Sequence, residues 1–214
     1  METELLKKFL DKSLTKEGLF KKVSQDSSLL PFLLEGIHSS KAAIRYGFAK
    51  ILMELSEENP DKLYPYMDSF INLLDSKYRI LTWNALAIIA NLTKVDVDKK
   101  FDAVFGKYYH LMNDGYMVTV ANVVGNSSTI ALAKPYLVPK ITDELLKIED
   151  ISITPNLTEE CKRVMAQKAI KSIDLFFEEI EDKERVFSFV KKHLNSPREQ
   201  LRKAAEDFLT KWAR

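Results

Sequence analysis

The chain is poor in the residues on which many chemistries depend. A single cysteine, Cys161, stands among 214 residues, so no intrachain disulfide can form and a disulfide-stapled scaffold is excluded. Six glycines are too few and too scattered for a phosphate-cradling loop or a dinucleotide fingerprint. His38, His110 and His193 are far apart in sequence. None has a second His, Cys or carboxylate at ligand spacing on its own helix face, so neither a metal site nor a cofactor is expected. Excess charge is also missing: 32 basic side chains stand against 31 acidic ones, whereas a surface dedicated to phosphate backbones needs a surplus of Lys and Arg. No apolar run approaches the length of a membrane span. The opening stretch Met1–Lys8 carries Glu2 and Glu4 where a secretory leader carries bases, and the expected location is cytoplasmic. Without secretion, the Asn-x-Ser/Thr triplets at Asn91, Asn126 and Asn156 read as chance. Cys161 has no nucleophile signature around it and reads as packing, and catalysis has no support in the sequence.

What the chain does have is helical periodicity that returns. From Asn195 onward, Leu201, Ala205, Phe208, Leu209 and Trp212 share one face while Arg202, Lys203, Glu206 and Lys211 occupy the rest, the pattern of a half-buried helix. Ser196, Pro197 and Glu199 read as a capping box that starts this helix at Ser196. Ile44-Arg45 with Phe48 repeats the pattern, as do Leu81-Thr82 with Ala85, Leu86 and Ile89, Thr119-Val120 with Val123 and Val124, and Lys162-Arg163 with Ala166, Ile170 and Ile173. One key position therefore falls at Arg45, Thr82, Val120, Arg163 and Arg202, at intervals of roughly 40 residues, those of two-helix repeats. A second apolar helix precedes each copy, near residues 29–37, 66–74, 101–112, 137–148 and 186–194. The two are joined by turns such as His38-Ser39-Ser40 and Asn195-Ser196. Turns this short connect only antiparallel neighbours, so the repeating unit is an αα-hairpin.

The polar turn, the aliphatic-Arg pair and the small residues after it resemble HEAT repeats and, more loosely, armadillo repeats. Ile44-Arg45 and Leu201-Arg202 match best; Thr82 and Val120 lack the Arg. The resemblance covers about residues 26 to 214 and implies an all-α superhelix: a HEAT/armadillo-like solenoid of about five hairpins, one domain over residues 1–214. Residues 1–25, with six lysines around short apolar patterns, are the capping hairpin that a solenoid end requires. Asn59-Pro60 opens the second unit, and Asp96 or Asp98 sits near the N-terminus of the helix that follows it. The β-branched stretch around Val118–Val124 and Gly125 predicts a weak helix, either kinked near Gly125 or broken there with backbone open to a ligand. Residues 149–156 form an interruption that is either a partner-contacting rim or a loop without a role. Asn156 and Glu159 then cap an unusually long helix, about 157–181.

In HEAT-like solenoids the second helices line the concave face, which the resemblance makes the binding groove. The two residues after the key position point away from the apolar stripe, and they place Tyr46, Trp83, Asn84 and Asn122 in a strip of aromatics and amides suited to a peptide backbone. Trp83 reads more readily as a residue partly buried between repeats than as a binding platform. Peptide-binding armadillo proteins pair a Trp with an Asn four residues later. Here Trp83 is followed at that spacing by Ala87, while Asn122 and Asn126 have the spacing without the Trp. The reading drawn from this is a non-enzymatic adaptor that binds a protein or peptide. The alternative is a nucleic-acid-binding solenoid of the kind that acts on alkylated DNA, with Lys50, Arg79, Arg163, Lys168 and Lys171 for charge and Glu54 or Asp174 as the acid. A third reading is a homo-oligomer packed through a repeat edge.

Overall fold

The computed structural model describes residues 2–213, which fold into helices joined by short turns; among them the one β-type pairing is an isolated bridge between Thr154 and Leu157. None of these helices is long and apolar enough to cross a membrane. The chain packs as two compact units, Met1–Phe101 and Asp102–Arg214.

The first unit opens with the hairpin α1 (Glu2–Leu10) and α2 (Lys16–Gln25). Thr15 caps α2, its hydroxyl accepting from the Gly18 N–H at 3.0 Å and so satisfying one of the free donors of a helix start. Two helical pairs follow: α3 (Leu30–Gly36) with α4 (Ala42–Glu58), then α6 (Met67–Asn72), preceded by the single turn α5 (Pro60–Leu63), with α7 (Arg79–Leu92). Pro60 does begin α5, but the Asn59 side chain makes no capping bond. Phe48, Ile51 and Leu52 of α4 and Leu86 and Ile89 of α7 are fully buried, and α4 packs broadly on α7. At the end of the unit Asp96, one of the two acids expected near this N-terminus, caps the helix that starts at Lys100: its carboxylate accepts from the N–H groups of Lys100 at 2.8 Å and Phe101 at 3.0 Å, and from the Tyr64 hydroxyl at 2.8 Å.

The second unit contains α8 (Lys100–His110) from Asp102 onward, paired with α9 (Met117–Ala133), then α10 (Val138–Leu146) with α11 (Glu159–Asp174), and α12 (Lys183–Lys191) with α13 (Glu199–Trp212). Helix α9 runs without interruption through Gly125. Val120, Val123, Val124 and Ile130 are buried, and burial of that face outweighs the low propensity of the β-branched run. Ser127 returns its hydroxyl to the Val123 carbonyl at 2.8 Å while accepting from the Tyr109 hydroxyl at 3.1 Å.

Three helix ends differ from the sequence reading. α13 starts at Glu199, not Ser196; Ser196 instead accepts from the Arg198 N–H at 3.3 Å, shaping the turn before the helix. α11 is capped by Thr158 rather than Asn156, with the Thr158 hydroxyl accepting from the Cys161 N–H at 3.3 Å. And α11 ends at Asp174 instead of running to about residue 181. Phe176 and Phe177 are both buried, with Phe177 4.9 Å from Phe208 and 5.0 Å from Trp212. The chain leaves the helix to bring these rings inward, and apolar periodicity alone cannot distinguish that from continuation.

The 149–156 interruption is sewn down. Thr154 and Leu157 exchange backbone bonds at 3.0 and 3.1 Å, the Thr154 hydroxyl donates to the Gly115 carbonyl at 2.8 Å, and the Met117 N–H donates to Asn156 at 3.4 Å.

Candidate functional site

In four of the five second helices the fourth residue explains the repeat; in α9 it is Val120, whose side chain has no donor. In α4 it is Arg45, which is buried; its Nη1 donates to the Ser39 carbonyl at 2.8 Å, closing the turn between α3 and α4. In α13 it is Arg202, whose Nη1 donates to the Ser196 carbonyl at 2.7 Å, the same six residues back. In α11 it is Lys162, one residue before the Arg163 that the sequence alignment placed there, and its Nζ donates to the Glu149 carbonyl at 2.7 Å. In α7 it is Thr82, whose hydroxyl donates to the Leu73 carbonyl at 3.3 Å. Turn carbonyls at the end of a first helix have lost their helical partners, and a donor from the facing helix supplies one. These residues therefore belong to the scaffold.

The residues after that position carry the candidate surface. In the first unit, Tyr46 lies beside Arg45, which donates to its hydroxyl at 3.3 Å and stands 4.6 Å from its ring centroid. The guanidinium carbon also lies 3.7 Å from the Tyr78 ring centroid, and the two tyrosines meet edge to face at 6.4 Å. Tyr46 thus braces Arg45, while its free edge helps line a cleft of about 530 Å³ together with Phe9, Lys12, Leu14, Lys16 and Gly47. Tyr78 was missed in the sequence because it precedes α7 and so falls outside any helical period.

Trp83 and Asn84 are both half-buried on α7. They share its outward face with Ile80, 42% exposed, and Ala87. The Asn84 amide has no hydrogen-bond partner among the described residues. After Arg79, α7 contains no charged residue, so this face offers an aromatic ring, an amide and aliphatic area without an ion to desolvate. In the second unit Asn122 is half-buried on α9, and its Nδ2 already donates to the Val118 carbonyl at 2.8 Å. Its carbonyl oxygen is what remains for recognition. Asn126 does not join it as an open amide, because its Nδ2 is buried without a partner.

The titratable groups serve structure. Burial pushes the Tyr64 hydroxyl up to about 12, so it stays protonated and donates to Asp96. Burial also holds Tyr108 and Tyr109 well above the usual phenol range. Lys134, almost fully buried, donates to Asp102 and to the Tyr136 hydroxyl, both at 3.1 Å, and Tyr136 donates to Asp102 at 2.9 Å. The Asp102 carboxyl lies below its ordinary range because its hydrogen bonds from Tyr136 and Lys134 outweigh the opposing effect of burial. Burial lowers His193, which stands 4.0 Å from Glu149. No group of three His, Cys, Asp or Glu side chains converges to hold a metal among the described residues.

Comparison with known structures decides the fold. A designed armadillo repeat protein aligns with a TM-score of 0.59 at 19% identity, covering 89% of this chain and 84% of that one. A second, in complex with the peptide (KR)4, gives 0.61 at 15%, again covering 89% and 84%. An engineered protein gives 0.54 at 13%, covering 92% and 83%. The fold is that of the armadillo-like α-solenoids. No protein-family model matches the chain, and no curated protein matches it.

Proposed function

We propose that this solenoid is a non-enzymatic adaptor that binds a protein or peptide segment on the outward faces of its second helices. The contacts proposed in the first unit are Trp83 and Asn84, with Tyr46 as a further candidate, and the contact proposed in the second unit, taken by itself, is Asn122. The observation that carries the reading is the α7 face: an aromatic ring next to an unengaged amide on a helix without charge beyond Arg79. A ring supplies buried area at small entropic cost, and an amide can pair with both the N–H and the C=O of an extended backbone. One armadillo-like neighbour is in complex with a peptide, which supports the reading. Against the nucleic-acid alternative, Lys50 is paired with Glu54 at 3.5 Å and Arg163 with Glu160 at 3.1 Å, so two of the five cations that reading relies on are already engaged.

The test is selection of binders from a random peptide display library, with a Trp83→Ala, Asn84→Ala double variant as counter-screen. Peptides enriched on the native protein should bind the variant at least tenfold more weakly, with the helical circular-dichroism signal unchanged. Equal retention on the variant would remove these residues from the site. Loss of helicity in Trp83→Ala alone would make Trp83 a packing residue.

A further inference from the structure

Helices α9 and α11 of the second unit pack closely on one another and present strips of the same spacing but different chemistry. On α9 the strip is Val118, Asn122, Gly125, Thr129 and Leu132, with no charge anywhere in the helix. On α11 it is Val164, Lys168, Lys171 and Leu175, one face by the i, i+4, i+7, i+11 rule. Leu175 is 61% exposed. Lys168 and Lys171 are exposed and make no ion pair among the described residues.

The surrounding charges do not cancel these lysines. Glu160 is shared between Arg163 at 3.1 Å and Arg198 at 2.6 Å, and both arginines hold its carboxyl below the ordinary range. Asp174 is taken up by Lys211 at 2.9 Å and the Trp212 indole N–H at 2.6 Å. Lys171 shares a cleft with Asp174 and Asp207, but Asp174 is held by Lys211 and Asp207 by Lys203 at 3.4 Å, so Lys168 and Lys171 keep their charge unpaired. We infer that the α9–α11 face binds an acidic peptide segment that also carries an aliphatic side chain, the carboxylates meeting Lys168 and Lys171 and the aliphatic group resting on Val164 and Leu175. This rests on the adaptor reading and narrows its ligand. A peptide fits better than a nucleic acid because the adjoining α9 strip is uncharged, whereas a phosphate backbone would need cations along its whole track.

The experiment measures fluorescence anisotropy of a labelled peptide, Glu-Glu-Leu-Gly repeated three times. Its Gln-for-Glu and Lys-for-Glu counterparts and a labelled oligo-dT of equal length are run beside it on the full chain. The acidic peptide should bind at least tenfold tighter than either counterpart and weaken as salt rises. Lys168→Glu with Lys171→Glu, both exposed and so harmless to the fold, should abolish the preference, while Lys168→Arg with Lys171→Arg should retain it. If the Gln or Lys peptide binds as well as the acidic one, the charge assignment falls and the adaptor reading stands. If no peptide of any charge binds, the assignment of this face falls, and the adaptor reading is judged by the display selection on the α7 face. Tighter binding of oligo-dT, lost in the double Glu variant, would assign the face to nucleic acid instead.

Discussion

The two compact units use the same small residue for opposite ends. In the first, Gly36 sits against the Phe48 ring so closely that an added Cβ would stand 2.2 Å from a ring carbon, and at Gly47 it would stand 2.7 Å from Phe9. In the second, the positions corresponding to added Cβ atoms at Gly106 and Gly125 meet nothing within 4 Å. The first unit has glycine because aromatic rings fill the space a side chain would need. At Gly106 and Gly125 the second unit has glycine where space is free, so packing does not require it, whereas its remaining glycine, Gly115, serves a positive φ of 77°. The same residue marks a close approach in one half and an unused position in the other.

The largest effect expected from this contrast is at Gly36. Phe48 is fully buried and touches Phe9 and Phe32 edge to face, each at 5.1 Å, so its ring has nowhere to retreat. Gly36→Ala should destabilise the protein by about 2–3 kcal/mol, the upper range for overpacking a filled core. A urea midpoint unchanged from the native protein would show that the α3–α4 contact yields, and the contrast between the units would lose its physical basis.

A second comparison lies inside the first unit, at the fourth residue of α4 and of α7. Arg45 and Thr82 both donate to a carbonyl at the end of the preceding first helix, one as a cation and the other as a hydroxyl. The HEAT-like pattern was legible in the sequence wherever Arg stood, and Thr82 looked like a departure. What recurs is the turn's need for a donor, and Thr meets it with a shorter reach. The same need explains why Lys162 occupies this point in α11: alignment by residue type chose the neighbouring Arg163, but the carbonyl is met by the cation at the correct helical phase. Arg45→Met should cost about 2 kcal/mol, because a bond from a charged donor is lost and a half-buried carbonyl loses its partner; Thr82→Val should cost about 1 kcal/mol. Thermal denaturation of the two variants side by side measures the difference, and equal losses would mean that the charge on Arg45 adds nothing beyond a neutral bond.

Repeat number, the order of helices and the buried faces could be read in the sequence because each rests on local periodicity, visible in residues such as Ile44, Phe48, Val123 and Leu201. Helix ends were less legible. Ser196-Pro197-Glu199 and Asn156-Glu159 both satisfy a capping pattern, yet α11 is capped by Thr158 and α13 has no side-chain cap, because a cap depends on how the helix docks. The candidate surface was legible only in part. The register that exposes Trp83 and Asn84 follows from the period, but Asn122 bonding back to its own helix, Tyr78 stacking on Arg45 and the pairing that leaves Lys168 and Lys171 open depend on neighbours distant in sequence.

The smallest effect is expected at Gly125. In the sequence it looked like a place where α9 kinks or breaks, and the structure shows an unbroken helix with that position exposed. A glycine inside a helix loses more backbone freedom on folding than alanine does, by about 0.5–1 kcal/mol, and nothing at Gly125 offsets this. Gly125→Ala should therefore raise stability by that amount, in the opposite direction to Gly36→Ala. If Gly125→Ala is instead destabilising in the same urea titration, the space beside α9 is occupied in solution and the distinction between the two glycines fails at this position.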